Sequence, residues 1–589
     1  MTELESALVE GRSPDIRESR NTLRWSARLG EFVCLAVLVA LLAAVLVRMA
    51  RETGVTVDEP SHLLSAALYW EGRDTLQPGD MPPLIKIVGG WVPALAGLRL
   101  PSRDHKVWET RHEWPISLQM MSEMKSGEVE RIFFWSRLPF LVFPIGCVAL
   151  LWWWGRQLAS PWAGLAAAAV FAMLPTVLGH GALFKNDLAA SFGYLFFWYR
   201  AWRYWRSPST GQAAVWALAL LLAVLAKFSM LVLIPIAALI LVARRLTGSQ
   251  RNPRKFAIEA GAVALCVYAG IVLAWQADVT PLTAKDFDQW RAHPAIPRLL
   301  TRFVKVAQAV PTPPRLWRGA MGLVQSNGEM APTYLLGQVY QGGHPLYFAI
   351  ALLVKLPVAA LALIGMGLGL FLKDVVRRRA RLDDLFWAAP GFLYLILASA
   401  SSLQLGVRLV LPAVAVLALY AARLIGPRTP ARPMGAAVIL LLAWLGVRSY
   451  SVFPDYISHF NVLAGGADRG LQYLSDSNVD WGQDLRRFAR MVKEQPLGKV
   501  RLAYFGTDNV WAYVSDKEVE TIAPPWSGIP VNGRHFRPEP GVYAISATLL
   551  TGQLFAEEYR DYYREFRKRE PFAKRSEERR VGKECRSRW

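Results

Sequence analysis

The sequence predicts a polytopic α-helical membrane protein, and composition is the first observation behind that class. Hydrophobic residues make up 53% of the 589 residues, charged residues make up 19%, and mean hydropathy is +0.23. Soluble domains average about 45–50% apolar and about 25% charged residues. The composition also excludes disordered, collagen-like and disulfide-scaffold chains. Abundant aromatics, with 23 Trp, 19 Tyr and 26 Phe, suit belts at two membrane interfaces.

The second observation is the length of the apolar runs, since a membrane span takes about 20 mostly apolar residues. Residues 1–28 carry five arginines and five acids and do not resemble a cleaved signal peptide, so we expect a retained first helix after a cytoplasmic segment. We predict eleven spans, at about 29–47, 132–154, 161–179, 188–205, 212–226, 229–243, 257–275, 346–371, 384–401, 409–425 and 434–450.

The third observation is the distribution of basic residues between loops. With the N-terminus inside, the five inner loops hold seventeen Lys and Arg, whereas the three short outer loops hold three. This asymmetry follows the positive-inside rule. It places the long loops 48–131 and 276–345 outside. The predicted transmembrane module covers 29–450, and the chain that follows it is also predicted to lie outside.

The chain after Tyr450 changes character, because apolar runs shorten and turn signals become frequent. Residues 500–506 and 541–547 read as strands, so we predict a small extracytoplasmic α/β domain over 451–574. Residues 575–589 (RSEERRVGKECRSRW) resemble an in-frame translation of a sequencing adapter, and we exclude them as an artefact from functional reasoning.

The net charge of +21 would suit a nucleic-acid-binding protein, but the inner loops of a membrane protein account for it. We therefore predict no nucleic-acid partner. The four cysteines form no CxxC pair and no arrangement typical of an exported disulfide.

Two adjacent carboxylates, Asp58 and Glu59, follow the first span in the stretch 57–62 (VDEPSH). Such a pair at the outer membrane face could take a proton or bind a cation. Equally, acids before a proline suit the N-terminus of a following helix.

Isolated basic residues occur near the same predicted face. Lys86 ends the segment 81–86 (MPPLIK), where it could hold a phosphate or merely extend to the headgroups. Arg137 lies a few residues into the second span, where a charge is costly and is expected to be paired or functional.

Two further outer stretches carry charges. The stretch 179–188 (GHGALFKNDL) contains His180, Lys185 and Asp187, which could also form only an ordinary loop salt bridge. Arg408, in the stretch 404–412 (QLGVRLVLP), is a third isolated outer cation. Basic side chains at this depth suit a lipid phosphate, and the acids suit acid–base work on a hydroxyl.

These motifs resemble those of a known enzyme family. The Asp58–Glu59 pair, the PPLIK segment ending at Lys86 and the loop from His180 to Asp187 look like the polyprenyl-phosphate-sugar-dependent glycosyltransferases of family 39. These are GT-C enzymes related to protein O-mannosyltransferases and to the aminoarabinose transferase of lipid A. The resemblance implies a GT-C-like fold.

Two later stretches, 334–357 and 460–485, resemble bacterial members of the group, and the similarity covers nearly all of 25–574. Met81 is a departure, because many relatives have His before the two prolines. Within the second stretch, a D-x-N-x-D run begins at Asp476 but lacks the Gly and Glu of a calcium loop. We interpret it as a structural turn, with acceptor binding as the second reading.

The resemblance implies inverting transfer of a hexose or pentose from a polyprenyl-phosphate carrier to a hydroxyl on a glycolipid, protein or cell-wall acceptor. It makes Asp58 the general base, with Glu59 as a second catalytic candidate. Glu59, His62 and Asp187 could also hold a divalent cation, and metal dependence stays open. The donor-phosphate candidates are Lys86, Arg137 and Lys185, and the acceptor-placing or site-shaping candidates are His62, His180, Asp187 and Arg408.

Two other functions compete with this reading. An O-antigen ligase-type transferase also uses a polyprenyl-linked donor, but its marks centre on a large late outer loop. A transporter would place ionisable groups and broken helices near mid-membrane, whereas here the charges lie at the outer ends of spans. The preferred reading is an enzyme of the bacterial inner membrane with its active site facing the periplasm.

The predicted topology can be tested directly. Single cysteines introduced after Tyr450 should react with a membrane-impermeant maleimide in intact cells, because the loop charges place this part outside. A cysteine in the loop 244–256 is the matched control and should react only after permeabilisation. Labelling in the opposite order would overturn both the topology and the outer site.

Overall fold

The computed structural model describes residues 14–73, 76, 81–247, 253–426, 431–526, 531 and 533–571, with the backbone alone for 14–28 and 431–432. The predictions for residues 1–13 and 575–589 lie outside the described residues. The α-helices are Pro14–Glu52, Glu59–Trp70, Pro83–Gly89, Val92–Leu95, Glu113–Ser122, Ser126–Arg137, Val142–Leu158, Pro161–Ala172, Pro175–His180, Asp187–Arg206, Thr210–Ala226, Leu233–Leu246, Pro253–Ala274, Ala284–Ala292, Arg298–Ala307, Pro314–Gly328, Tyr347–Lys355, Val358–Val376, Leu385–Ser399, Leu411–Leu417, Ala431–Val452, Leu485–Glu494, Ala547–Thr551 and Arg564–Arg567.

Short 3₁₀ segments cap or extend several of these helices. They are Lys106–Thr110, Leu138–Leu141, Phe228–Val232, Leu382–Asp384, Val407–Val410, Ala418–Leu424, Val462–Ala464, Ala467–Gln472, Asp476–Asn478, Val510–Ala512 and Glu557–Tyr559.

The chain is a polytopic α-helical membrane protein, which confirms the predicted class. Eight helical segments of the described chain are long and apolar enough to cross a membrane: Leu29–Glu52, Ser126–Leu158, Phe228–Leu246, Pro253–Ala274, Val358–Val376, Leu382–Ser399, Val407–Leu424 and Pro433–Val452. The other three predicted spans are helical too. Pro161–Ala172 and Thr210–Ala226 are short, and Asp187–Arg206 carries four charged residues. The count of eleven therefore stays a prediction.

One segment, Val407–Leu424, lies at the centre of the helical bundle. Of its apolar window 89% is buried, against 17% for the peripheral Pro433–Val452. Helices pack closely on it where residues are small: a Cβ on Gly367 would lie 2.0 Å from the carbonyl oxygen of Tyr420. Such small-residue contacts let membrane helices approach without a hydrophobic driving force.

Both long loops that the sequence predicts to lie outside are largely helical. The first contains Glu59–Trp70, Pro83–Gly89, Val92–Leu95 and Glu113–Ser122. The second contains three helices and an antiparallel hairpin formed by strands β1 (Thr333–Leu335) and β2 (Gln338–Tyr340).

A small parallel sheet lies in the C-terminal part. Its strands are β3 (Val500–Ala503), β4 (Val519–Thr521) and β5 (Val542–Ile545), in the order β4-β3-β5. The strands predicted at 500–506 and 541–547 are both present and shorter, whereas β4 was not predicted.

The helix Leu485–Glu494 covers one face of this sheet. Leu485, Ala489 and Val492 recur at helical spacing and share one buried apolar cluster with Val500 of β3. This arrangement is α/β, as expected. The boundaries 451–574 and the extracytoplasmic location of such a domain stay predictions.

Candidate active site

One buried arginine organises the turn that follows the first membrane helix. The Arg137 Nη1 group donates to the carbonyl oxygens of Ala50 (3.0 Å) and Thr53 (2.7 Å), and Nη2 donates to that of Gly54 (2.8 Å). Its Nε (2.8 Å) and Nη2 (2.6 Å) also donate to the carboxylate of Glu59. A guanidinium has five N–H groups, and all five are donated to protein acceptors.

The Glu59 carboxylate also has all its nearby hydrogen-bond donors within the protein. Besides the two bonds from Arg137, it accepts from Thr56 N (3.0 Å), Thr56 Oγ1 (3.1 Å) and Phe184 N (2.8 Å), and it is fully buried. Burial would raise the pKa of Glu59, but Arg137 and the hydrogen bonds outweigh it and lower the pKa. The sequence predicted a catalytic Glu59 and a phosphate-binding Arg137. Burial of Glu59 and saturation of Arg137 leave neither group free to contact a substrate.

The same turn is held from the C-terminal part of the chain. Gly54 N donates to the carbonyl of Gln483 (2.9 Å), and Val57 N donates to that of Trp481 (3.0 Å). Thr507 Oγ1 donates to the carbonyl of Val57 (2.8 Å). A Cβ on Gly54 would lie 2.5 Å from the carbonyl oxygen of Gln483, so this backbone approach requires glycine.

Asp58 is the most exposed of the three carboxylates gathered here. Its side chain is 27% exposed, whereas those of Glu59 and Asp187 are fully buried. Lys185 Nζ donates to Asp58 Oδ2, and Arg408 Nη2 lies 3.4 Å from the same oxygen. Although Asp58 precedes a helix, its side chain makes no capping hydrogen bond. Its carboxylate therefore belongs to the charge cluster and not to the helix.

Asp187 completes a network of alternating charges. Lys227 Nζ lies 2.8 Å from Asp187 Oδ1, and Arg408 Nη1 lies 3.5 Å from Asp187 Oδ2, so Arg408 bridges Asp58 and Asp187. Lys185, Lys227 and Arg408, the three cations of the short loops predicted to lie outside, thus converge. Lys227 was not among the predicted site residues, although its isolation in an apolar stretch was a usable signal.

A buried indole lies beneath these cations. Arg408 Cζ is 4.3 Å and Lys185 Nζ is 5.2 Å from the centroid of the Trp481 ring, and the His180 ring is 6.0 Å away. The negative face of the indole attracts cations at such distances. Arg408 Nε also donates to Ser477 Oγ (3.1 Å). The stretch interpreted as a structural turn therefore contributes directly to the cluster.

His62 and His180, both predicted as site residues, are buried beside the charge cluster. His62 Nδ1 lies 3.4 Å from the carbonyl oxygen of Phe184. Burial, reinforced by Lys185, lowers the pKa of His62 to about 3, and burial lowers the pKa of His180 to about 3. Both rings are therefore neutral at pH 7 and can offer hydrogen bonds but no charge.

Lys86 is buried on the helix Pro83–Gly89, which packs against Glu59–Trp70. Its backbone carbonyl accepts a hydrogen bond from Trp70 Nε1 (2.7 Å). Its role as a donor-phosphate ligand stays a prediction.

The charge state of the cluster follows from these contacts. Burial would raise the pKa of Asp58, but Lys185 and Arg408 outweigh it and hold the pKa below its ordinary value. Burial raises the pKa of the neighbouring Asp476 to about 6. At neutral pH the three cations therefore face the ionised carboxylates of Asp58 and Asp187, and Asp476 beside them is mostly ionised as well, so the charges of the cluster are largely balanced.

A divalent cation was left open by the resemblance. Among the described residues, no group of three or more His, Cys, Asp or Glu side chains is arranged to hold a metal ion. The carboxylates of Asp58 and Asp187 are each held by cationic side chains, which such an ion would have to displace. The residues present therefore do not fit a divalent cation.

No family model and no curated protein matches the chain. Similar solved structures include the archaeal oligosaccharyltransferase AglB from Archaeoglobus fulgidus in complex with an inhibitory peptide and a dolichol-phosphate, at 14% identity and a TM-score of 0.41. That match covers 85% of this chain and 65% of AglB. ArnT from Cupriavidus metallidurans bound to undecaprenyl phosphate matches at 12% identity and a TM-score of 0.43, over 84% of this chain and 86% of ArnT. Similarities of this size do not show which residues act.

Removing the Arg137 side chain should destabilise the protein strongly. Arg137→Met leaves the Glu59 carboxylate buried without its cation, which costs about 3–5 kcal/mol. We expect a lower melting temperature and less monodisperse protein in detergent. The double variant Arg137→Met/Glu59→Gln removes both charges and should recover part of the loss. A single variant as stable as the wild-type protein would show that the pair does not hold the turn.

Proposed function

We propose that the protein is a GT-C-type membrane glycosyltransferase, which moves a sugar from a polyprenyl-phosphate carrier to an acceptor hydroxyl with inversion. The observation that carries the proposal is the partly exposed carboxylate of Asp58, set against Lys185 and Arg408 among buried charges. A carboxylate in this position suits proton transfer, and the adjoining cations suit a lipid phosphate. The family-39 resemblance assigns the base to the same Asp58.

The donor phosphate fits the cationic side of the cluster. Arg408 contacts Asp58 and Asp187 through Nη2 and Nη1 at 3.4 and 3.5 Å, which is long for hydrogen bonds, so these two groups can turn to a phosphate without losing a short bond to either carboxylate. Lys185 lies beside it, and Lys86 is a further candidate. Negative charge develops on the departing phosphate oxygen, and preorganised cations stabilise that charge.

The transfer is a single displacement. The acceptor oxygen attacks the anomeric carbon, and the bond from that carbon to the phosphate oxygen breaks. The electron pair of the broken bond leaves with the polyprenyl phosphate, while the hydroxyl proton passes to the Asp58 carboxylate. One displacement at the anomeric carbon inverts its configuration.

Donor binding would also activate the base. Without a donor, Asp58 is a weak base because Lys185 and Arg408 hold its pKa low. A phosphate competes with the carboxylate for the same two cations. As they turn to the phosphate, the pKa of Asp58 rises toward its ordinary value of about 3.9, which strengthens the base.

A separate space is available for the acceptor. A cavity of about 420 Å³ lies between the helix Glu113–Ser122 and the C-terminal sheet, beside the turn of the proposed base. Thr507, which borders it, is bonded to the carbonyl of Val57. The described residues that line this cavity include Asp508 and the half-exposed Trp511 but no Lys or Arg. This lining suits a neutral, hydroxyl-bearing acceptor better than a phosphate.

We place the enzyme in the bacterial inner membrane with the cluster facing the periplasm, because seventeen inner-loop cations oppose three outer ones. A transporter is the competing class. Asp187 is the first residue of its helix and Arg408 is the second residue of its segment, and such helix-end positions do not favour a mid-membrane binding site.

Asp58→Asn should reduce sugar transfer by about 10²–10⁴-fold, because the amide keeps the shape of the carboxylate but cannot take the proton. Transfer from polyprenyl-phosphate sugars to membrane acceptors is measured with purified, reconstituted protein. Asp278→Asn is the matched control, since Asp278 is 29% exposed and is paired with Arg315, which is not a member of the cluster, and it should leave transfer unchanged. Near-normal transfer by a well-folded Asp58→Asn variant would remove Asp58 from the reaction.

The pH profile tests the activation of the base. The rate falls as pH drops through the pKa of Asp58, since the ionised form is required. The profile of kcat/KM reports the free enzyme, and that of kcat reports the donor complex. Because donor binding frees the carboxylate from its cations, the acidic limb of kcat should lie at higher pH than that of kcat/KM. Coincident limbs, or the reverse order, would contradict competition for the same cations.

A further inference from the structure

A second polar cavity lies at the other end of the helical bundle. It has a volume of about 350 Å³ and is bordered by the ends of the helices Val142–Leu158, Asp187–Arg206 and Val358–Val376. Arg423, at the end of the central segment Val407–Leu424, also lines it. Arg408 at the other end of that segment is fifteen positions away, or about 22 Å at a helical rise of about 1.5 Å per residue. This cavity is therefore separate from the candidate active site.

The lining of this cavity, which we call the basal cavity, carries more positive than negative charge. Its six cations are Arg206, Lys373, Arg377, Arg379, Arg381 and Arg423, and its three carboxylates are Asp374, Asp383 and Asp384.

Two of the cations are engaged by carboxylates. Arg423 pairs with Asp374, and Arg206 Nε lies 3.5 Å from Asp383 Oδ2. Asp384 is engaged by neutral donors, since its oxygens accept from a backbone N–H and from an indole N–H.

The other four cations, Lys373, Arg377, Arg379 and Arg381, are exposed and form no ion pair with any residue that the structure describes. If these cations served only to orient the chain in the membrane, they would need only to lie on one side of it. Here they border a cavity with an unneutralised positive lining, which is the arrangement that binds an anion.

The apolar side of the basal cavity indicates what kind of anion it takes. Leu158, Leu370 and Phe371 contribute to its lining next to the arginines. On the same helix as Leu370, the side chains of Leu372 (51%) and Val376 (82%) are exposed, as expected for contact with lipid. A ligand with a phosphate and an adjoining acyl chain matches this pairing of charged and apolar surface.

We propose that the basal cavity binds the phosphate headgroup of an anionic phospholipid from the adjoining leaflet. Basic pockets between membrane helices are suited to such headgroups, and arginine forks match phosphate oxygens in pairs. The lipid acyl chains lie along the apolar helix surface, and the headgroup neutralises the unpaired cations. The site is independent of the sugar-transfer chemistry at the other end.

Binding of phosphatidylglycerol to the purified full chain in neutral detergent micelles tests the proposal, with phosphatidylcholine and inorganic phosphate as comparison ligands. We expect phosphatidylglycerol to bind at least about tenfold more tightly than phosphatidylcholine, and the binding to weaken as salt increases. Millimolar inorganic phosphate should not displace the lipid, because it lacks the acyl contacts. If inorganic phosphate displaced the lipid with a dissociation constant similar to that of phosphatidylglycerol, the ligand would be a free anion and the lipid assignment would be overturned.

The variant Arg377→Gln/Arg379→Gln/Arg381→Gln should bind phosphatidylglycerol at least about tenfold more weakly. The matched control Arg99→Gln/Arg103→Gln/Arg111→Gln removes the same charge from the first outer loop and should bind normally. Asp383→Asn releases Arg206 and adds positive charge, so it should tighten binding, a gain that misfolding cannot produce. Unchanged affinity in the triple variant and in Asp383→Asn would overturn the proposal.

Discussion

The buried contact between Arg137 and Glu59 is the constraint on which the turn after the first membrane helix and the neighbouring charge cluster depend. Taking a carboxylate and a guanidinium out of water is costly unless every donor finds an acceptor, and here five N–H groups do so. Three of the acceptors are carbonyl oxygens of the turn at Ala50, Thr53 and Gly54. The backbone leaving the first membrane helix therefore has one path, and that path sets the position of Asp58.

The adjacent carboxylates Asp58 and Glu59 have different surroundings although they are neighbours in the chain. Successive residues at a helix start point about 100° apart, since a turn takes about 3.6 residues. Glu59 consequently faces the interior and is paired with Arg137. Asp58 faces Lys185 and Arg408 and stays partly exposed. The buried Glu59 carboxylate therefore fixes the position of the Asp58 carboxylate, which we propose as the base.

The central segment Val407–Leu424 connects two charged regions that differ in composition. At its start, Arg408 shares carboxylates with Lys185 and Lys227 over the ring of Trp481, and its charges are largely paired. At its end, Arg423 borders a cavity in which Arg206 is paired with Asp383, while the other four cations form no ion pair with any described residue. The helix Asp187–Arg206 is largely buried within the bundle, and a helix surrounded by protein needs no lipid-facing apolar surface. Asp187–Arg206 can thus be helical and still too charged to count as a span by composition.

Apolar run length and the distribution of Lys and Arg are local properties, and from them the sequence alone determined the helical membrane class and the loop charge asymmetry. Single residues out of place in apolar or outer stretches, such as Asp58, Lys185 and Arg408, were visible for the same reason. Only the tertiary structure decided that Arg137 is saturated, that Lys227 joins the cluster and that Trp481 lies beneath it. These outcomes depend on contacts between residues tens to hundreds of positions apart. Such contacts depend on how the helices pack and on which backbone carbonyls have no hydrogen-bond partner within their own helix, and no local sequence pattern encodes that geometry.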